Sequence, residues 1–232
     1  MIHFGCWLYL WGFFIPVMPC WRAEKQEHGY WQHPEKKAYV YRLTMVQLTA
    51  LAIISLLPFY LNNVRIEAIG MGFVRNPFWV TLLILLSLMS LWLFQFISFS
   101  MERARSTYES NSRIQFLLPT TLKECRTMVV LSFFAGICEE VVYRGFFFWF
   151  LSGHLPMIPA IILTNIPFAL AHLSTTGVKN TLGAFMLGLI FTGALLLTGS
   201  LWLPILLHIV ADLLAAIQSY KVSKILSGHS GL

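Results

Sequence analysis

Seven apolar segments, each about as long as a membrane-spanning helix, constrain the fold of this chain more than any other feature. A helix needs about 20 apolar residues to cross about 30 Å of hydrocarbon. Only 11% of the residues are charged, whereas a soluble domain carries about 25%. We therefore predict an all-α polytopic membrane protein with about seven transmembrane helices. The predicted spans are Phe4–Trp21, Leu43–Leu61, Pro77–Phe99, Met128–Leu151, Leu155–Leu173, Leu182–Thr198 and Leu201–Gln218.

The first apolar segment is predicted to be a retained span rather than a signal peptide. No Lys or Arg precedes it, and the residues that follow it, Val17-Met18-Pro19-Cys20, do not form a small-x-small cleavage site.

The Lys and Arg residues are distributed unevenly over the loops. Thirteen lie in the loops 22–42 and 100–127, at Lys179 and in the C-terminal tail, and only Arg65 and Arg75 lie in the alternate loops. Because cytoplasmic loops carry the excess of Lys and Arg, we predict an external N-terminus and a cytoplasmic C-terminus. This placement accounts for the net charge of +6, so the charge does not indicate nucleic-acid binding.

Six ionisable side chains fall inside the predicted spans. A charged group at a helix centre costs roughly 2.5–3.5 kcal/mol on insertion scales, and packing gains little from it. Such a cluster therefore indicates chemistry or transport. The six residues are Glu139, Glu140, Arg144, His172, His208 and Asp212.

Span four places two adjacent carboxylates beside one arginine. Residues four apart share a helix face, and a Glu that precedes an Arg at this spacing forms a favourable pair. We therefore predict an internal ion pair between Glu140 and Arg144. Glu139 is rotated about 100° away, so the pair does not neutralise it, and we predict that it acts as a general base.

Spans five and seven carry polar residues at helical spacing as well. Asn165, Phe168 and His172 form one stripe, and we predict that Asn165 and Phe168 line a substrate pocket. His208 and Asp212 are four residues apart and share a face, where Asp212 either orients His208 or donates a hydrogen bond in its protonated form.

Span six contains small residues that allow close helix packing. They are Gly183, Ala184, Gly188 and Gly193.

Three ordered motifs on separate hydrophobic segments carry a family resemblance: Glu-Glu-x-x-x-Arg, Phe-x-x-x-His and His-x-x-x-Asp. The chain resembles the CAAX-processing and bacteriocin-processing (CPBP, or Abi) intramembrane endopeptidases, which include CAAX prenyl protease 2 and lysostaphin-resistance-A-like proteins. The match covers about Leu131–Leu214.

The resemblance implies a glutamate-dependent peptidase that needs no metal or other cofactor. Glu139 would activate water with help from His172, and His208 with Asp212 would bind the oxyanion. Glu140 and Arg144 would support the site. The departure is Asp212, where the eukaryotic-type prenyl proteases have asparagine.

The substrate implied by the resemblance is a protein or peptide in or at the lipid bilayer, with a prokaryotic plasma membrane as the expected location. We divide the chain into N-terminal helices and cytoplasmic loops over 1–127, catalytic core helices over 128–218 and a cytoplasmic tail over 219–232.

Three alternatives stay open. A metal-dependent membrane protease could use the Glu, His and Asp side chains as ligands, although no HExxH motif is present and Arg144 would oppose a cation. A non-catalytic bacteriocin-immunity-type protein would use the polar residues to hold the helices together. A proton-coupled transporter would use them as a proton path, but no inverted repeat is visible.

Overall fold

A computed structural model describes residues 34–72, 78–97 and 118–229 of the 232-residue chain. All regular structure within these ranges is helical, which confirms the predicted fold class there. A 3-10 turn, Ile66–Ile69, follows the first helix, and a π-helical segment, Val141–Phe147, joins the third to the fourth. The helices are α1 (Pro34–Leu61), α2 (Phe78–Ile97), α3 (Leu122–Glu140), α4 (Phe148–Ser152), α5 (Met157–Ala171), α6 (Leu173–Thr198) and α7 (Trp202–His229).

Three helical segments are long and apolar enough to cross a membrane: Lys37–Leu61, Thr181–Thr198 and Trp202–Ile225. Helix α5 is also apolar but has only 15 residues. The predicted first span, Phe4–Trp21, lies outside the described residues. The count of seven spans therefore stays a prediction.

Three helices extend beyond the boundaries predicted from the sequence. Helix α1 begins at Pro34, inside the predicted loop 22–42, because proline is favourable in the first turn of a helix. Helix α6 begins at Leu173, so the loop predicted around Lys179 is wrong and the segment is helical. Helix α7 continues to His229 and includes most of the predicted tail. In each case the polar residues led to the prediction of a loop, but polar residues alone do not end a helix.

A capping box fixes the start of α3. The Thr121 hydroxyl accepts a hydrogen bond from the Glu124 backbone N–H, and the Glu124 carboxylate accepts from the backbone of Thr120 and Thr121. Lys37 of α1 lies 3.7 Å from the same carboxylate. Burial acts to raise the pKa of Glu124, but the hydrogen bonds from Thr120 and the charge of Lys37 outweigh it and hold the pKa below its usual value.

Two hydrogen bonds near Glu124 bring three segments together at one end of the bundle. Lys37 donates to the Leu118 carbonyl, and Ser223 near the end of α7 donates to the Pro119 carbonyl. These segments are the ones that the charge distribution assigns to a single side of the membrane.

At the opposite end, the Leu201 N–H donates to the Gly70 carbonyl and the Ser200 hydroxyl donates to the Gly72 carbonyl. The loop after α1 and the turn before α7 therefore meet there. Both lie on the side that the charge distribution leaves poor in Lys and Arg.

Helices α3 and α7 approach each other closely at Gly136. A Cβ on Gly136 would lie 2.9 Å from the backbone nitrogen of Ile209 and 3.2 Å from its Cα. Only glycine therefore permits this approach. The contact aligns Glu140 of α3 with His208 of α7.

The small residues of span six differ in how closely they pack. Ala184 is buried in the core and Gly188 is tightly enclosed, but a Cβ on Gly183 or Gly193 would meet no described atom within 4 Å. Those two glycines lie on a face of α6 that no described helix covers, so for them close packing stays a prediction.

Candidate active site

A buried ion pair forms where α3 passes into the π-helical segment. Arg144 Nη1 donates to Glu140 Oε1 over 2.8 Å, so the predicted pair is present. Both side chains are essentially inaccessible, with 0% and 1% exposure for Glu140 and Arg144. The π-helical segment begins immediately after Glu140, and such insertions into α-helices are frequent at functional sites.

The pair is not self-contained, because His208 of α7 joins it. His208 Nδ1 lies 2.8 Å from the same Glu140 Oε1 atom. Glu140 therefore links α3 to α7 rather than only neutralising Arg144. The sequence did not predict this bond, which forms because the Gly136 contact brings the two helices close together.

Two aromatic rings enclose Arg144 and His208. The Arg144 guanidinium carbon lies 4.2 Å from the centre of the Phe168 ring and 5.5 Å from that of Phe191. The His208 ring stacks on Phe191 with centroids 5.1 Å apart and meets the edge of Phe168 at 5.8 Å. The rings hold Arg144 by packing and by cation–π attraction, and they hold His208 by ring packing.

Asn165 of α5 holds the other arm of the guanidinium. Its Oδ1 accepts from Arg144 Nη2 over 3.0 Å, and its Nδ2 donates to the Ile161 carbonyl and to Thr192 Oγ1. Asn165 is 0% exposed and Phe168 is 2% exposed. The structure thus places both residues against Arg144, and their role in a substrate pocket stays a prediction.

Asp212 lies next to His208 but is not bonded to it. Its Oδ2 is 3.8 Å from His208 Nε2, which is too long for a hydrogen bond. The Asp212 side chain is 37% exposed, whereas His208 is buried. The two ring nitrogens of His208 therefore face different carboxylates. Nδ1 is within hydrogen-bond distance of Glu140, and Nε2 faces the more distant Asp212.

Glu139 occupies a separate, mostly apolar pocket. The pocket is formed by Leu48 and Leu51 of α1, Val142 and Tyr143 of the π-helical segment, and Ala171 of α5. Among the side chains that the structure describes, none forms a hydrogen bond with the Glu139 carboxylate. The space next to the carboxylate is about that of one water molecule.

His172 lies at the turn between α5 and α6, directly after Ala171 of this pocket. Its Nδ1 is 2.8 Å from the Phe168 carbonyl oxygen, and its ring centroid is 5.1 Å from that of Phe168. Because α5 is short, it ends at the depth of the site, which places this residue within the bundle.

The described residues contain no group of three or more His, Cys, Asp or Glu side chains arranged to hold a metal ion. The carboxylate closest to His208 is instead occupied by Arg144. These residues can transfer protons and can donate or accept hydrogen bonds.

Three site residues were not predicted in these roles. Thr192 and Phe191 carry no sequence signal beyond belonging to an apolar helix. Gly188 was predicted only as a packing residue, yet a Cβ there would overlap Asn165 Oδ1 and lie 2.9 Å from Arg144 Nη2.

Comparison with known proteins gives one match. The family model for Rce1-like type II CAAX prenyl endopeptidases matches residues 121–214. No curated protein and no solved structure gives a match.

The matched range begins at Thr121, the N-cap of α3, and ends two residues after Asp212, so it contains every predicted site residue. The motifs from which the resemblance was predicted therefore lie within it. Residues 121–214 are therefore similar to the Rce1-like CAAX proteases, a family of peptide hydrolases, and this match supports the resemblance predicted from the motifs.

Proposed function

We propose that this CAAX-type intramembrane protease uses Glu139 as the general base that activates water. The observation that carries the proposal is the contrast between two adjacent carboxylates. Glu140 is bonded to Arg144 and His208, whereas Glu139 lies beside a water-sized space without a hydrogen bond from the described residues. A base must keep a lone pair available for the proton that it removes.

The reaction follows from these positions. The water oxygen attacks the carbonyl carbon of the peptide bond while its proton passes to Glu139. The tetrahedral intermediate then collapses, the C–N bond breaks, and the proton moves from Glu139 to the departing amine. One product ends in a carboxylate and the other begins with an amine.

His172 is positioned to assist with the water. Since the Phe168 carbonyl can only accept, Nδ1 of His172 must carry the hydrogen in that bond. In the neutral ring, Nε2 is then the nitrogen with a lone pair, which suits it to accept a hydrogen bond from the water or to relay its proton.

His208 is assigned to the oxyanion. Its Nδ1 donates to Glu140, so only Nε2 can reach a substrate oxygen. A neutral ring has no hydrogen on Nε2 in this tautomer, and the protonated ring does. We propose that the protonated ring donates from Nε2 to the oxyanion, with Asp212 on the same side as its counter-charge.

The proposed substrate is a membrane-anchored protein or peptide whose scissile bond reaches the depth of Glu139. Support comes from the matched family, which is described as CAAX prenyl endopeptidases, and from three helices capable of crossing a membrane. We extend this to seven spans with an external N-terminus and a cytoplasmic C-terminus, in a prokaryotic plasma membrane.

The topology is tested by single-cysteine labelling with a membrane-impermeant reagent. Cysteines at Arg65 and Lys221 should label from opposite sides of sealed vesicles, because these residues belong to opposite ends of the bundle. Labelling from one side would contradict the proposal.

The activity is tested by comparing peptide termini in membranes and medium from cells that express wild type or Glu139→Gln. We expect termini that depend on Glu139, since loss of a general base lowers rates by about 10²–10⁴-fold. Glu67→Gln is the matched control, because Glu67 is an exposed carboxylate in the turn after α1.

Two outcomes contradict the proposal. If Glu139→Gln accumulates normally and yields the same termini as wild type, Glu139 is not the base. If a strong chelator abolishes the activity and added metal restores it, the metal-dependent alternative is correct.

A further inference from the structure

We propose that Thr192 of α6 is a positioning residue whose hydroxyl, acting through Asn165, Arg144 and Glu140, fixes the orientation of the His208 ring with its Nδ1–H on Glu140. The catalytic consequence rests on the proposed function, but the positioning itself does not. The residues involved lie on α3, α5, α6 and α7, so the chain of bonds joins four helices.

The chemistry of the side chains determines the donor and the acceptor of every hydrogen bond from Arg144 through Asn165 to Thr192. Arg144 can only donate, so Asn165 must present its oxygen to it. The Asn165 amide nitrogen then donates to Thr192 Oγ1 over 3.0 Å. Since the hydroxyl has one hydrogen, Thr192 uses it for the Gly188 carbonyl at 2.9 Å.

The other end of the chain is determined in the same way. Glu140 Oε1 accepts from Arg144 and therefore also accepts from His208, whose Nδ1 must carry a hydrogen. A rotation of the Arg144 guanidinium would move Glu140 Oε1, which is the acceptor that His208 Nδ1 requires. Each hydrogen bond between Thr192 and the His208 ring therefore has only one possible donor and one possible acceptor, and Thr192 influences the ring through these bonds.

The surroundings leave the chain little freedom to rearrange. Thr192, Asn165 and Glu140 are each 0% exposed, so water cannot easily replace a lost partner. Gly188 lies against Asn165 and Arg144 so closely that a methyl group would not fit. The relay therefore has one arrangement, and removal of the Thr192 hydroxyl leaves the Asn165 amide with only the Ile161 carbonyl.

The test measures the exchange of the His208 Nδ1 proton in the full chain, purified in lipid nanodiscs and labelled with ¹⁵N-histidine. The signal is assigned by its absence in His208→Gln. We compare Thr192→Val, which has the same shape without the hydroxyl, with Thr192→Ser, which keeps it.

Thr198→Val is the matched control. Thr198 is also a fully buried threonine of α6, and its hydroxyl also donates to the carbonyl four residues earlier, but it bonds to Ser200 rather than to the site. A general loosening of α6 would affect both valine variants equally.

We expect the His208 Nδ1 proton to be protected from exchange in wild type. In Thr192→Val it should exchange about fivefold faster, which is the factor that one net hydrogen bond is worth. In Thr192→Ser and Thr198→Val it should exchange at the wild-type rate. The proposal is overturned if Thr192→Val exchanges as wild type does, if Thr192→Ser fails to restore protection, or if Thr198→Val has the same effect. It is also overturned if wild type carries its hydrogen only on Nε2. None of these readings depends on whether Glu139 is the base, so the two proposals can fail separately.

Discussion

Gly188 offers the most direct test of how tightly α6 is fitted to the site. In Gly188→Ala the new methyl group would overlap Asn165 Oδ1 and lie 2.9 Å from Arg144 Nη2 and 3.1 Å from Asn165 Cγ. Ordinary contacts require at least about 3.5 Å between such atoms. Asn165 must therefore move by about 1 Å, although two further hydrogen bonds hold its amide nitrogen.

The expected cost combines three effects. Overpacking of a buried site costs about 1–3 kcal/mol, and a weakened hydrogen bond to a charged group costs about 1.5–3 kcal/mol. Replacing glycine by alanine in a helix recovers roughly 0.8–1 kcal/mol. We therefore expect a net loss of about 2–5 kcal/mol in the free energy of unfolding.

Thermal unfolding of the purified protein in one detergent measures the effect, with Gly193→Ala as the matched control. Gly193 lies on the same helix, and a Cβ there would meet no described atom within 4 Å. Gly193→Ala should therefore unfold at or above the wild-type temperature, and Gly188→Ala well below it. Equal unfolding temperatures for the two variants would refute the fit of α6 against Asn165.

Other perturbations test other contacts. The pKa of Glu124 is held below its usual value in the fold. The stabilisation that Glu124 provides is therefore present above the unfolded pKa of about 4.3 and is lost as pH falls through the folded pKa. Glu124→Gln should lower the unfolding temperature at pH 7, and the unfolding temperature of this variant should fall less on acidification than that of wild type. In Gly136→Ala the methyl group would press on the Ile209 backbone, so we expect a loss of about 1–3 kcal/mol in an unfolding assay; wild-type stability would contradict the contact. Asp212→Asn should reduce the rate of peptide cleavage less than His208→Ala does, because Asp212 is not bonded to the ring; a larger effect of Asp212→Asn would assign it a direct role.

Contacts within a single helix were predictable from the sequence, because helix geometry alone fixes which residues share a face. The Glu140–Arg144 pair follows from a spacing of four, and it is present at 2.8 Å. The same rule placed Asp212 beside His208, but the distance of 3.8 Å shows that a shared face does not guarantee a bond. Spacing limits which partners are possible, and packing selects among them.

Contacts between helices were not predictable, because they depend on how each helix is rotated about its axis. The bond from His208 to Glu140 requires α3 and α7 to approach at Gly136, and no periodicity in either segment indicates that approach. Thr192 could not be identified for the same reason. The π-helical segment was also missed, since Val141–Phe147 contains nothing that disfavours an α-helix.

The burial of so many ionisable groups becomes physically reasonable once their partners are known. A lone charge in the bundle would be costly, but Arg144 pairs with Glu140 Oε1, Asn165 accepts a hydrogen bond from Arg144, and the Phe168 ring packs against the guanidinium. Glu139 is not hydrogen-bonded into this network, because its position on the helix directs its side chain to a pocket between α1 and α5, although the charges of His208 and Arg144 act on it. Two adjacent glutamates therefore experience different environments for one geometric reason, the rotation of about 100° per residue. In the proposed mechanism, the network would orient His208 and would leave the Glu139 carboxylate available for the water.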